Sequence, residues 1–266
     1  MARKSRPSKS RRTRPSKMGR KWTQDDVHAY NITVVYEDLE TFFGVTDLPS
    51  PDVEIGALTA QDAASATGYP ATSHMLLQME DVVDPDVDPI HRRSDTVGFV
   101  LELLRVIRYA DARNKRFTIM WPKLQYLASQ GAYPELDICI WDDSKTILLV
   151  VKVDRRKRGF DPEARIVSDA IGAFHNDNIM RLKRFGTKPL DSKVMPGIVM
   201  DGTMPTFYKI PITAELVRAV EAGEQPEQKT VVHAYRPEVP RPEEGMKPLD
   251  NRYIILSCLA SFRQFL

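Results

Sequence analysis

The segment PELDICIWDDSKTILLVVKVDRR, Pro134 to Arg156, does most to narrow what this chain can fold into. Two runs of strand-forming residues, 134–141 and 146–153, flank Asp142 to Lys145, whose Asp-Asp-Ser composition suits a tight turn, so the segment predicts a β-hairpin. Asp161 then predicts a helix cap, with Pro162 at the first helical position and Glu163 in the first turn. The apolar face of that helix runs Ile166, Val167, Ala170, Ile171 and Phe174.

Elements on either side extend this pattern. Ser94 to Tyr109 reads as an amphipathic helix with Val97, Val100, Leu101, Leu104 and Ile107 on one face, and Arg116 to Trp121 reads as a strand. Past the helix that begins at Asp161, strands are predicted at Val194 to Met200 and Thr206 to Ile210, followed by a helix from Thr213 to Ala222 that Gly223 ends. TMPTFYKIPIT has the look of a strand pair around Pro205, with Phe207 and Tyr208 as core residues. The order helix, three strands, helix, strand makes an α/β fold in which the helix after the third strand is a crossover to the fourth. Residues 224–249 are rich in proline and charge, and Asn251 to Leu266 predicts a closing helix docked on the core.

Ahead of this body, Thr23 to Tyr30 predicts a short helix, Ile32 to Val35 a strand, and Tyr36 to Phe43 a second short helix closed by Gly44. Residues 46–93 carry Pro49, Pro51, Pro70, Pro85 and Pro89 and the acidic run EDVVDPDVDP, so they read as a long irregular connection with one helical patch near Ser73 to Met79. Three regions result: a basic arm at 1–21, an extension at 22–93, and an α/β core at 94–266.

Charge is distributed unevenly. Ten cations and no acid precede Trp22, among them Arg11, Arg12 and Arg14, and subtracting them from the net charge of +2 leaves the body at about −8. The arm also holds Pro7, Pro15 and little to bury, so it is expected to be disordered in isolation. Such arms serve as nuclear localisation signals, hold phosphate backbones by charge neutralisation, or remain solvated without a partner. Cys139 and Cys258, far apart in apolar surroundings, read as reduced core thiols. No apolar run reaches the roughly 18 residues a membrane span requires. The compartment expected is intracellular, with the nucleus suggested by the arm.

Helix, strand, a strand carrying Pro-x-x-Asp, a strand ending near a lysine, and then a helix resembles the core order of the PD-(D/E)XK nuclease-like superfamily. More narrowly, WTQDDVHAYNITVV, DPEARIVSDAIGAF, PLDSKVMPGIVMDGTMPTFYKIPITAEL and EGMKPLDNRYIILSC are similar to segments of an expanded group of fungal proteins assigned to that fold. The resemblance covers most of the chain from Trp22 to Leu266. It implies a restriction-endonuclease-like mixed sheet flanked by helices, with DNA or RNA as partner and no membrane.

It also implies a chemistry. Phosphodiester hydrolysis in that superfamily uses carboxylates to hold Mg²⁺, which neutralises charge developing on phosphorus and assists in forming hydroxide. Asp137 matches the motif's first acid and Lys152 its lysine, but the second acid's place, two residues before Lys152, is Val150, which cannot ligate a metal. In the closer relatives' register, Lys152 stands where a glutamate is expected and Asp154 where a lysine is. Glu135, two residues before Asp137, and Asp154 are further candidate ligands, and an active enzyme would take Mg²⁺ through Asp137 with one of them. Arg155, Arg156, Lys157 and Arg158 form a basic cluster that either grips phosphates or is a charged loop. Glu102 falls off the apolar helix face and reads as exposed, and His175 is expected near the end of its helix. The three expectations are a nuclease-fold protein with weak or lost cleavage, an active Mg²⁺-dependent nuclease, or a non-catalytic interaction module.

Overall fold

The structure, a computed structural model, describes residues 22–83, 89–110, 115–120, 136–142, 145–153 and 160–266. Within these, the side chains of 89–95 and of Lys152 are left aside. The arm, Glu135, Asp143, Asp154 and Arg155 to Arg158 therefore lie outside the described residues.

Seven strands form one mixed sheet: β1 (Ile32–Tyr36), β2 (Arg116–Met120), β3 (Ile138–Asp142), β4 (Lys145–Lys152), β5 (Ser192–Asp201), β6 (Met204–Thr213) and β7 (Thr230–Tyr235). Their order across the sheet is β1-β7-β6-β5-β4-β3-β2. The pairs β2–β3, β3–β4, β5–β6 and β6–β7 are antiparallel, while β4–β5 and β1–β7 are parallel. A parallel pair cannot be joined by a tight turn. Between β4 and β5 the chain accordingly passes through the crossover helix α6 (Pro162–Phe185). The predicted hairpin and crossover are both present.

Seven further α-helices cover the sheet: α1 (Gln24–Ala29), α2 (Leu39–Phe43), α3 (Ile55–Thr59), α4 (Pro70–Val83), α5 (Pro89–Val106), α7 (Ala214–Ala222) and α8 (Leu249–Phe262). Local chemistry sets several of their ends. The Asp38 carboxylate accepts from Thr41 N at 2.8 Å at the start of α2, and the Thr213 hydroxyl accepts from Leu216 N at 3.1 Å at the start of α7. Gly44, Gly186 and Gly223 close α2, α6 and α7 at φ of 74°, 61° and 69°. That left-handed backbone costs glycine nothing because it has no Cβ.

Three sequence expectations need correction. The stretch 46–93 holds α3, α4 and the start of α5, because Pro70 and Pro89 stand at the first positions of helices, where proline's missing N–H breaks no hydrogen bond. Residues 224–249 contain β7, a short β-branched strand that joins the edge strand β1 to the sheet. Finally, β6 is a single strand through Pro205, and the turn of its hairpin with β5 falls at Gly202 and Thr203, with Gly202 at φ 60°.

Strand alternation sends successive side chains to two different layers. Cys139, Leu149, Val151, Met195, Val199 and Ile210 pack with the inner side of α6, α1 and α7. Ile138, Ile140, Leu148, Val150, Ile198, Met200 and Phe207 pack with α2, α4, α5 and α8. Helix α6 approaches closely at Gly197, where a Cβ would lie 2.9 Å from Ile166 Cγ1. Glycine in β5 thus sets the spacing of the α6 layer.

Candidate functional site

Asp137 sits in the bend immediately before β3 and is half-buried. Asp169 of α6 is fully buried, and its carboxyl is pushed up to about 7, first by burial, against the pull of Arg165, and with a further upward contribution from the Asp137 charge. Arg165 Nε donates to Asp169 Oδ2 at 2.7 Å, one helical turn away. Asp169 Oδ1 is buried with no hydrogen-bond partner. Asp169 and Arg165 thus form a buried ion pair within α6.

The local sequence explains this placement. Asp161 begins α6 by accepting from Ala164 N at 2.9 Å, which sets the phase of the whole helix. In that phase Asp169 follows Ile166 by three residues and precedes Ala173 by four, so it falls inside the buried stripe. Arg165 and Asp169 at i and i+4 were the available sequence signal, and the reading of α6 from its apolar residues passed over them.

Val150 lies elsewhere. It is 2% exposed, pairs with Ile138 and belongs to the layer packed by α4, α5 and α8, on the sheet face opposite Asp169. The β4 residues that pack in the α6 layer are Leu149, Val151 and Val153, all apolar. No described acid of β4 joins Asp137. Lys152 ends β4 in register with Met200 of β5. Glu135, Asp154 and the cluster Arg155, Arg156, Lys157 and Arg158 fall outside the described residues, as do Arg11, Arg12 and Arg14 of the arm.

Other polar residues are placed differently from their sequence reading. Glu102 is half-buried, its side chain 21% exposed and 3.5 Å from Arg105, because α4 packs along α5 and covers the flank where an exposed acid was expected. His175 lies in the middle of α6, since that helix continues to Phe185. It is buried, its Nδ1 is 3.4 Å from Glu221 Oε1, and burial lowers its pKa against the opposing effect of Glu221. Asp142 ends β3 opposite Lys145 at 4.0 Å, a turn-flanking ion pair.

A second buried charge pair holds α6 to the hairpin. Asp177 accepts from Thr146 N at 3.0 Å, from Thr146 Oγ1 at 3.1 Å and from Lys193 Nζ at 3.3 Å. Burial raises the Asp177 pKa and lowers that of Lys193, each opposed by the partner's charge. These contacts tie α6 to β4 and β5. On β7, His233 Nδ1 is 2.5 Å from Glu37 Oε1, and Lys209 Nζ is 3.7 Å from Glu37 Oε2. Cys139 and Cys258 are both free and buried, with burial raising each thiol to about 12, which removes them from nucleophilic chemistry near neutral pH.

Among the described residues, no group of three or more His, Cys, Asp or Glu side chains converges as a metal centre. No described helix is long and apolar enough to cross a membrane. The fold is α/β, a seven-stranded mixed sheet flanked by helices. In comparisons with known proteins, no family model matches the sequence and no curated protein matches it.

Proposed function

We propose that this protein is a nuclease-fold protein that associates with DNA or RNA and whose cleavage through the β3–β4 hairpin is weak or lost. Support for the fold comes from element order. Helix α5, the antiparallel strands β2, β3 and β4, the crossover helix α6 and the parallel strand β5 follow one another in the order implied by the resemblance to restriction-endonuclease-like proteins. Asp137 stands at the start of the second of these strands, where that resemblance puts the first metal-binding acid.

One observation supports weak or lost cleavage more than any other. Val150, where the second acid would stand two residues before Lys152, is an apolar core residue in the layer packed by α4, α5 and α8. A Mg²⁺ ion held by β3 and β4 needs both carboxylates on one side of the sheet. Val150 supplies no such ligand, which supports weak or lost cleavage. Losing a stabilising interaction of this kind costs roughly two to three orders of magnitude in rate.

Association with nucleic acid draws support from the arm, whose cations suit a phosphate backbone and also a nuclear address. The acidic balance of the remaining body favours the alternative of a non-catalytic interaction module. A salt-dependent gel shift on the full chain and on a chain lacking residues 1–21 separates the two. Retained affinity in the shortened chain upholds the proposal, whereas affinity that vanishes with the arm reduces it to a tethered tail. Mg²⁺ or Mn²⁺ titration with single- and double-stranded DNA and RNA, repeated on Asp137→Ala, tests cleavage; turnover that depends on Asp137 and matches that of an ordinary nuclease would refute the loss.

A further inference from the structure

The C-terminal end of α6 carries a basic surface that neither the hairpin nor the arm accounts for. We propose that Arg181, Arg184, Phe185 and Lys188 bind the backbone and one base of a single-stranded nucleic acid. This rests on the nucleic-acid reading for the class of partner and on the structure for the residues.

Charge singles the segment out. Residues 178–190 hold four cations, Arg181, Lys183, Arg184 and Lys188, and no acid, in a body whose balance is about −8. Deeper in the fold, cations are answered by carboxylates: Lys193 by Asp177, Arg165 by Asp169 and Lys209 by Glu37. Among the described residues, Arg181, Lys183 and Arg184 form no ion pair. Lys188 lies 3.6 Å from Asp191, but the two side chains are 83% and 89% exposed, and solvent screens so open a pair.

Local structure gathers these charges. Arg181, Arg184 and Phe185 stand at i, i+3 and i+4 on the helix and share a flank. Gly186, at φ 61°, then turns the chain back along α6. Arg181 Nε donates to the Lys188 carbonyl at 3.0 Å, which brings Lys188 beside it. Asn178 and Leu190 exchange two hydrogen bonds, at 3.0 and 2.8 Å, and these fix the loop. Cations in a last helical turn commonly hold its terminal carbonyls. Here Thr187 takes that task, its N and Oγ1 donating to the Arg181 carbonyl at 2.9 and 3.2 Å. The charged groups of Lys183 and Arg184 are thus left for an outside anion.

The exposed aromatic ring fits the same partner. Phe185 is 44% exposed, and the Arg184 guanidinium lies 5.6 Å from its ring centroid. A solvent-facing ring among cations offers a base a surface to stack on while the cations follow the phosphates, and every base has a face that can stack. In a duplex the bases are already stacked on one another, so a single strand is the better match. An anionic membrane surface is the competing partner, since Leu182 is exposed beside the same cations.

Fluorescence anisotropy of labelled oligo(dT) and oligo(U) with the full chain, over a series of KCl concentrations, tests this. Reversing two charges, Arg184→Glu with Lys188→Glu, should weaken binding about tenfold or more and lower the slope of log K against log salt by about 1.4, because each phosphate contact on a single strand contributes about 0.7. Phe185→Ala should weaken binding about fivefold or more with the slope unchanged. Lys229→Glu with Lys247→Glu, at exposed lysines elsewhere, changes the net charge equally and should leave the slope at its wild-type value. All these positions except Arg181 are exposed, and circular dichroism checks that each variant is folded. Equal effects of the two double reversals, or unchanged affinity in Phe185→Ala, overturn the site and leave the nucleic-acid reading standing. A wild-type chain that binds neither oligonucleotide overturns both. Binding to phosphatidylserine vesicles that the Arg184 and Lys188 reversal abolishes and that oligonucleotides do not compete away assigns the surface to a membrane and also overturns the proposal.

Discussion

The two faces of the sheet are built from different materials. Under α4, α5 and α8 the packing is aromatic and aliphatic: Phe42 stacks near Tyr235 and Phe262, with ring centroids 5.6 and 6.3 Å apart, and Phe207 lies 4.9 Å from Phe262. Among the described residues its one fully buried charge is Arg252, whose guanidinium donates to the carbonyls of Ala60, Met246 and Lys247 at 2.6, 3.0 and 3.1 Å. Under α6 the same depth holds Asp169, Asp177, His175 and Asn176 beside isoleucines and valines. Burying ionised groups is expensive unless each is paired. The buried polar groups are thus concentrated in the α6 layer, and Val150 belongs to the other.

Placing a carboxylate on the apolar face should have the largest effect. Val150→Glu puts an acid among Ile138, Ile140 and Leu148 with no described partner, and a loss of about 4 kcal/mol in urea unfolding is expected, with no gain in Mg²⁺-dependent cleavage. A fully stable variant that cleaves DNA would mean that the faces are not divided as described. Breaking a pair on the polar face comes next. Asp177→Asn leaves Lys193 buried without its counter-charge, and a loss of about 3 kcal/mol is expected in the same measurement. A change within experimental error would show that the pair is solvated.

The smallest effect is a slope. Burial lowers the pKa of His175 below its ordinary 6.5, so the folded chain binds fewer protons here than the unfolded one as pH falls. The stability that neutral His175 contributes is present above pH 6.5 and is lost as pH falls below it. His175→Gln should flatten that acid limb of the stability profile between pH 6.5 and 5, read from melting temperatures across buffers. An unchanged limb would assign acid sensitivity to other groups.

Strong local signals were legible in the sequence. The hairpin, the capped start of α6, the short helix ended by Gly44 and the α7 cap all follow from neighbours a few residues apart and are present, although β3 begins only at Ile138 and Tyr36 ends β1 instead of starting α2. What misled the reading was proline. Pro70 and Pro89 look like breaks in a string of breaks, yet each opens a helix, and only the packing of α4 against α5 distinguishes the two uses. Strand β7 was hidden for a related reason: Thr230 to Tyr235 is short and sits among prolines and charges, and its place is set by partners in β6 and β1, the latter about two hundred residues away along the chain.

The candidate site divides along the same line. By itself the sequence determined that position 150 carries no acid and that Arg165 and Asp169 stand one turn apart, because these are matters of residue identity and local phase. Which layer each side chain enters was decided only by the tertiary structure. Strand alternation sends Val150 to the face opposite Leu149 and Val151, but which helices cover each face depends on where α6 crosses, and that depends on Gly197 allowing Ile166 close to β5. The burial of Asp169 is made by packing across layers, and no local spacing encodes it.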